Sequence, residues 1–161
     1  MKQLSVMPVI LLATLGTGFI IHPIKDEAVP YPEGFRKWTH IKTGLIGPDN
    51  PAFQTTGGFH HIYANEKAMG GYTSGYFPDG SVLVFDVLEA VESNANVTEG
   101  KRRHIDVMVK DSVRFKSTGG WGYEEFKGNS KTERVLTETV RTQCFTCHTK
   151  QKDYIFSDLR E

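Results

Sequence analysis

Pro78-Asp79-Gly80-Ser81-Val82-Leu83-Val84-Phe85-Asp86-Val87-Leu88-Glu89-Ala90 is the stretch whose reading sets the fold class. Its first four residues form a turn with a mechanism, since Pro fixes φ and Gly accepts the positive φ that a tight reversal needs. Residues 82–90 are then apolar or β-branched on both sides: Val82, Val84, Leu88 and Ala90 on one, Leu83, Phe85 and Val87 on the other. That pattern predicts a strand with both faces largely buried.

Working outward, Thr39 to Ile46 alternates as a strand and is broken by Gly47-Pro48-Asp49-Asn50-Pro51. Residues 59–63 read as a second strand. Residues 65–69 read as a short helix stopped by Gly70-Gly71, because Gly is the usual residue past a helix end. Downstream, Ile105, Val107 and Val109 alternate against His104, Asp106, Met108 and Lys110, the signature of a half-buried strand. A helical turn over residues 111–116, ended by Gly119-Gly120, leads to a strand over residues 121–126. Ser130-Lys131-Thr132-Glu133 fits a capping box opening a helix that runs through Leu136 and Val140 towards Cys144. With about five strand-like stretches, the fold class is mainly β (α+β), an antiparallel β-sheet domain with a late, C-terminal helix.

That helix carries both cysteines of the chain, in Cys144-Phe145-Thr146-Cys147-His148. Cys-x-x-Cys-His is the attachment signature of c-type haem. Two thiols on one helical turn can each add across a porphyrin vinyl group, and the next His is directed at the iron as an axial ligand. Two other chemistries use the same residues. A thioredoxin-like pair wants its cysteines at a helix N-terminus just after a strand, whereas here a helix-like stretch precedes them. A structural zinc site needs four ligands, and the cluster offers three. The expected cofactor is therefore one covalently bound haem c, held by Cys144 and Cys147 with His148 as the axial iron ligand.

Charge and the N-terminus bound the rest. Lys+Arg equals Asp+Glu at 19 each, so no basic surplus argues for nucleic acid. The local run Lys101-Arg102-Arg103 reads as a solvated turn, with a docking patch for a redox partner as the alternative. Lys2 followed by a largely apolar run over residues 4–21 resembles a secretory signal; it also nearly suffices for a membrane anchor. The expected organisation is a signal peptide or anchor over residues 1–21, a Pro-containing linker over 22–34, and one haem-binding domain over 35–161. Either reading of the N-terminus implies an exported, periplasmic protein.

The position of the motif discriminates among haem proteins. Small electron-transfer cytochromes generally carry it early with a Met ligand downstream, but only 13 residues follow His148 and none is Met. Helical-bundle cytochromes need four long amphipathic helices, which this chain lacks.

The segments Phe35-Arg36-Lys37-Trp38, Ile62-Tyr63, Asp79-Gly80-Ser81-Val82-Leu83-Val84, Val109-Lys110-Asp111-Ser112-Val113-Arg114-Phe115, Gly120-Trp121 and the haem motif follow one another in an order and spacing that resemble the cytochrome P-460 and cytochrome c′-beta family. The resemblance implies a dimeric antiparallel β fold, one haem c per subunit, a proximal His and an open distal side. It also implies one of two activities. Cytochromes P-460 oxidise hydroxylamine and carry a Lys bonded to the porphyrin edge; c′-beta members lack that link and bind NO and CO under a phenylalanine cap. Where the linking Lys falls, four residues after Ser81, this chain has Phe85, and neither Lys67 nor Lys110 falls at the matching position. The resemblance thus points to a five-coordinate haem binding NO or CO in an apolar distal pocket formed by Phe85 and Phe59, with oxidation of hydroxylamine or turnover of nitric oxide as the alternative and electron transfer as a third. A buried strand would also supply Phe85 as an ordinary core side chain. His60 and His61 point to opposite faces of a strand, so at most one faces the haem; His60 falls where some relatives have a polar distal residue. His40 and His104 have no motif behind them.

Overall fold

The computed structural model describes residues 28–160; the expected signal or anchor over residues 1–21 lies outside them. Five strands form one antiparallel sheet in chain order: β1 (Thr39–Ile46), β2 (Gly58–Ala64), β3 (Val82–Ser93), β4 (Asn96–Lys110) and β5 (Trp121–Lys127). Three α-helices accompany it, α1 (Phe53–Thr56), α2 (Glu66–Ser74) and α3 (Glu138–His148). The antiparallel, mainly β architecture with a C-terminal helix is the one the alternation predicts. Among the described residues no helix is long and apolar enough to cross a membrane.

Both faces of the sheet are covered. On the back, Tyr63, Val84, Ile105, Val107, Val109 and Phe126 pack against Val29, Phe35 and Phe115, with Tyr31 and Trp38 at the margin. On the front, Leu83, Trp121 and Tyr123 meet Ala68 and Met69 of α2, Cys144 and Phe145 of α3, and Tyr154 and Ile155 of the tail. Completely buried side chains such as Phe126 and Val84 are each worth about 1.5–3 kcal/mol in area removed from water. The segment expected as a linker is docked from Val29 onward: Val29 is 3% exposed, its carbonyl accepts from Arg134, and Tyr31 packs edge-on against Phe126.

Several local expectations are corrected by tertiary packing. α2 runs through Gly70-Gly71 and stops only at Gly75, whose φ is 74°. Gly71 serves packing instead, since a Cβ there would lie 2.3 Å from the Phe77 ring. β3 is buried on both faces only as far as Leu88; from Glu89 it continues as an exposed ribbon with β4, closed by Asn94 and Ala95, both at positive φ. Lys101-Arg102-Arg103 is part of β4, not a turn. Arg102 grips the buried Asp86 carboxylate with two nitrogens, and Arg103 donates to the carbonyls of Phe53, Gln54 and Gly57, holding α1.

The capping box at Ser130 forms its first bond, the Glu133 N–H donating to Ser130 Oγ at 2.9 Å, yet no helix follows. Arg134 and Val135 are instead drawn along β5, Arg134 bridging Phe126 and the Val135 N–H donating to the Glu125 carbonyl. The helix begins seven residues after Ser130, at the N-cap Thr137.

Candidate haem site

Helix α3 is aimed by contacts at both ends. Thr137 accepts from the Val140 N–H, satisfying one of the donors a helix N-terminus leaves open. One turn on, Arg141 donates from Nε to the Tyr123 carbonyl at 3.2 Å and from Nη2 to Glu124 at 2.8 Å, fixing α3 to β5. Residues three apart share a helix face, so Cys144 and Cys147 stand together. Cys144 is half-buried against the front core and Cys147 is exposed; neither is in a disulfide.

His148 ends the helix, and its ring is oriented by the chain that follows. Its Nδ1 lies 2.7 Å from the Tyr154 carbonyl. A donor at Nδ1 in that bond leaves Nε2 as the lone-pair nitrogen, the arrangement that fixes ring orientation and raises basicity in metal-ligating histidines. Burial lowers the His148 pKa, against the opposing pull of the Tyr154 carbonyl and Asp106, and so favours the neutral imidazole a metal needs. Tyr123 and Phe156 flank the ring at 5.4 and 4.9 Å between centroids.

The carbonyl is delivered by an unusual turn. Asp153 and Tyr154 both have positive φ, 42° and 66°, a conformation that costs about 1–3 kcal/mol per residue unless the surroundings impose it. Here they do. The Asp153 carboxylate accepts from the Phe77 N–H at 2.7 Å and from Lys110 Nζ at 2.9 Å. Lys110 is thereby committed to the turn, and Lys67 reaches the carbonyl of Asp79 at the other end of α2.

Across the front face, register lines up Ile62, Phe85, Asp106 and Glu125 on four adjacent strands. Phe85 is half-buried and stacks on His60, centroids 4.6 Å apart and planes 20° apart. His60 in turn overlies Gly44, where a Cβ would sit 2.4 Å from two atoms of the imidazole. Burial, then His61 and Lys42, lower the His60 pKa. The structure therefore brings Phe85 and His60 together. It does not bring Phe59 to them: Phe59 is on the opposite face, stacked parallel to His61 with 6.3 Å between centroids, because the strand period is two.

Beside Phe85 the face turns polar, which the sequence reading missed. His104, Asp106 and Glu125 bring their ligand atoms within 4.8 Å of one another. Burial raises the Glu125 pKa, helped by Asp106. Burial opposes protonation of His104, but Asp106 outweighs it and the pKa rises. The signal was present in the alternation of β4, but a polar face reads as a wet one unless something is known to cover it. Here His104 is only 7% exposed, and Asp106 and Glu125 act on the half-buried Cys144 of α3.

The rival chemistries for the cysteines fare poorly. Burial pushes the Cys144 thiol up to about 11, the reverse of the lowered pKa that a redox dithiol requires. Among the described residues, His104, Asp106 and Glu125 form the one group of three or more metal-type ligands, and it includes no cysteine. The front face does fit a bulky ligand with polar contacts of its own. Buried atoms there without a hydrogen-bond partner include His60 Nδ1, Trp121 Nε1 and Tyr123 Oη, and buried polar groups are almost always satisfied.

The profile of the family Cytochrome P460 matches residues 32–157. The chain belongs to the cytochrome P460 family. Membership implies haem binding, and the match runs from the docked N-terminal segment to the tail that orients His148. A search of curated proteins found no match.

Proposed function

We propose that this cytochrome P460 family member is a periplasmic c-type cytochrome with one haem, linked through Cys144 and Cys147 and ligated by His148, that binds NO or CO on the side facing Phe85. When bound, the haem supplies an iron with one coordination position for a diatomic ligand. The chain's part is to hold and shield it. Burial favours the neutral form of His148, and the Tyr154 carbonyl fixes its ring. Phe85 occupies the position of the family's linking Lys and can form no amine cross-link, while Lys110 and Lys67 are engaged elsewhere. An aromatic group over the ligand position excludes water and offers no hydrogen bond, which disfavours O₂ relative to NO and CO. The observation that carries the reading is Phe85 on the front face, stacked on His60. Export, a homodimeric state and an accessory redox partner belong to the same reading.

Stopped-flow mixing of the ferrous protein with CO and NO tests it. Phe85→Ala and Phe85→Lys should each change the association rates by more than about tenfold; unchanged rates would remove Phe85 from the ligand's path. A second reading, oxidation of hydroxylamine or a related nitrogen compound, draws on Asp106 in register beside Phe85. A carboxylate there can accept substrate protons. Turnover of hydroxylamine with an electron acceptor, lost in Asp106→Asn, would favour it over gas binding alone.

A further inference from the structure

We propose that His104, Asp106 and Glu125 form a binding site for one divalent transition cation of the zinc, manganese or ferrous class, on the front face beside Phe85 and using none of the residues of the Cys-x-x-Cys-His motif. The donor set is one imidazole nitrogen and two carboxylates, each of a type such ions take. Rigid strands supply all three. His104 and Asp106 are two apart on β4 and so share a face, and β4–β5 register sets Asp106 directly opposite Glu125.

His104 Nε2 is the observation that points to a ligand. The side chain is 9% exposed, and Nε2 is buried without a hydrogen-bond partner. It is aimed at Asp106 Oδ2 from 3.6 Å, too far for a hydrogen bond. Two donors each about 2.1 Å from a tetrahedral ion stand roughly 3.5 Å apart. The imidazole is therefore spaced from the carboxylate as two ligands of one metal are spaced. The third donor belongs to the same group, all of whose ligand atoms lie within 4.8 Å of one another, and water can complete the shell. A dication would also relieve the repulsion between Asp106 and Glu125. The competing occupant is a proton shared between the two carboxyls.

None of its three donors belongs to the haem motif, so its test is read as zinc content and kept apart from gas binding. The full chain, matured with haem, is equilibrated with Zn²⁺, and retained zinc is measured against haem iron by atomic emission after gel filtration. One zinc per chain, removable by a chelator, is expected. His104→Ala and Asp106→Asn should each weaken zinc binding by about a hundredfold, and Glu125→Gln by at least about tenfold. Asp106→Asn conserves shape, and an unchanged far-ultraviolet circular dichroism spectrum and thermal unfolding midpoint certify its fold. A back-face control, Glu99→Gln, should bind zinc like the parent. No zinc retained by the parent protein, or undiminished binding by folded Asp106→Asn, would overturn the site. Loss confined to Glu99→Gln would overturn it as well, by moving the metal to the back face.

Discussion

The two faces of the sheet treat buried polarity in opposite ways. On the back, Asp86 and Glu124 are completely buried, and each ends on arginines: Asp86 on Arg36 and Arg102, Glu124 on Arg134 and Arg141. His61 bonds Thr43 and reaches Glu99 at 2.7 Å. On the front, four buried polar atoms lack a hydrogen-bond partner within the chain. A face completed by its own side chains maintains the fold. One that leaves donors and acceptors over is shaped for something the chain does not encode.

The largest effect that can break this contrast is on the back. Arg102→Ala leaves the Asp86 carboxylate with Arg36 alone, and breaking a buried pair of this kind costs about 3–5 kcal/mol. Urea unfolding of the haem-loaded protein should show that loss; a cost under about 1 kcal/mol would mean that the back face tolerates unpaired charge too. An intermediate effect is expected where the faces differ in packing. Gly44→Ala drives a methyl group into the His60 ring and should cost about 1–3 kcal/mol. His60→Ala should remove most of that penalty in a double-mutant cycle, whereas additive losses would show that Gly44 is needed for its backbone and not for the imidazole. The smallest effect is on the front. Tyr123→Phe deletes a hydroxyl that has no partner in the chain, so stability should change by less than about 0.5 kcal/mol, while the haem absorption spectrum shifts if that hydroxyl meets the cofactor.

The same contrast explains what the sequence made legible. β1 was delimited residue for residue, because alternation flanked by a Gly-Pro cluster leaves little else to form. The Cys-x-x-Cys-His motif is legible because it is local chemistry on one helical turn. Phe85 and His60 were named from a resemblance, and their stacking needed the β2–β3 register. Phe59 comes from the same resemblance, yet it adjoins His60 on β2, and adjacency in a strand means opposite faces. Arg102 and Arg103 read as a solvated turn because their partners, Asp86 and the α1 carbonyls, are 16 and up to 50 residues away. His104, Asp106 and Glu125 are illegible for the same reason: β5 brings Glu125 opposite Asp106, and Cys144, which they act on, comes from far downstream.

The back core has a consequence for the order of assembly. It closes with the chain's own side chains, from Val29 to Phe126, and Arg141 moors α3 to β5 without help from the porphyrin. On the attachment proposed above, such a scaffold would present the exposed Cys147 thiol outward as the accessible handle with Cys144 half-buried behind it, making cofactor attachment a finishing reaction on a standing polypeptide.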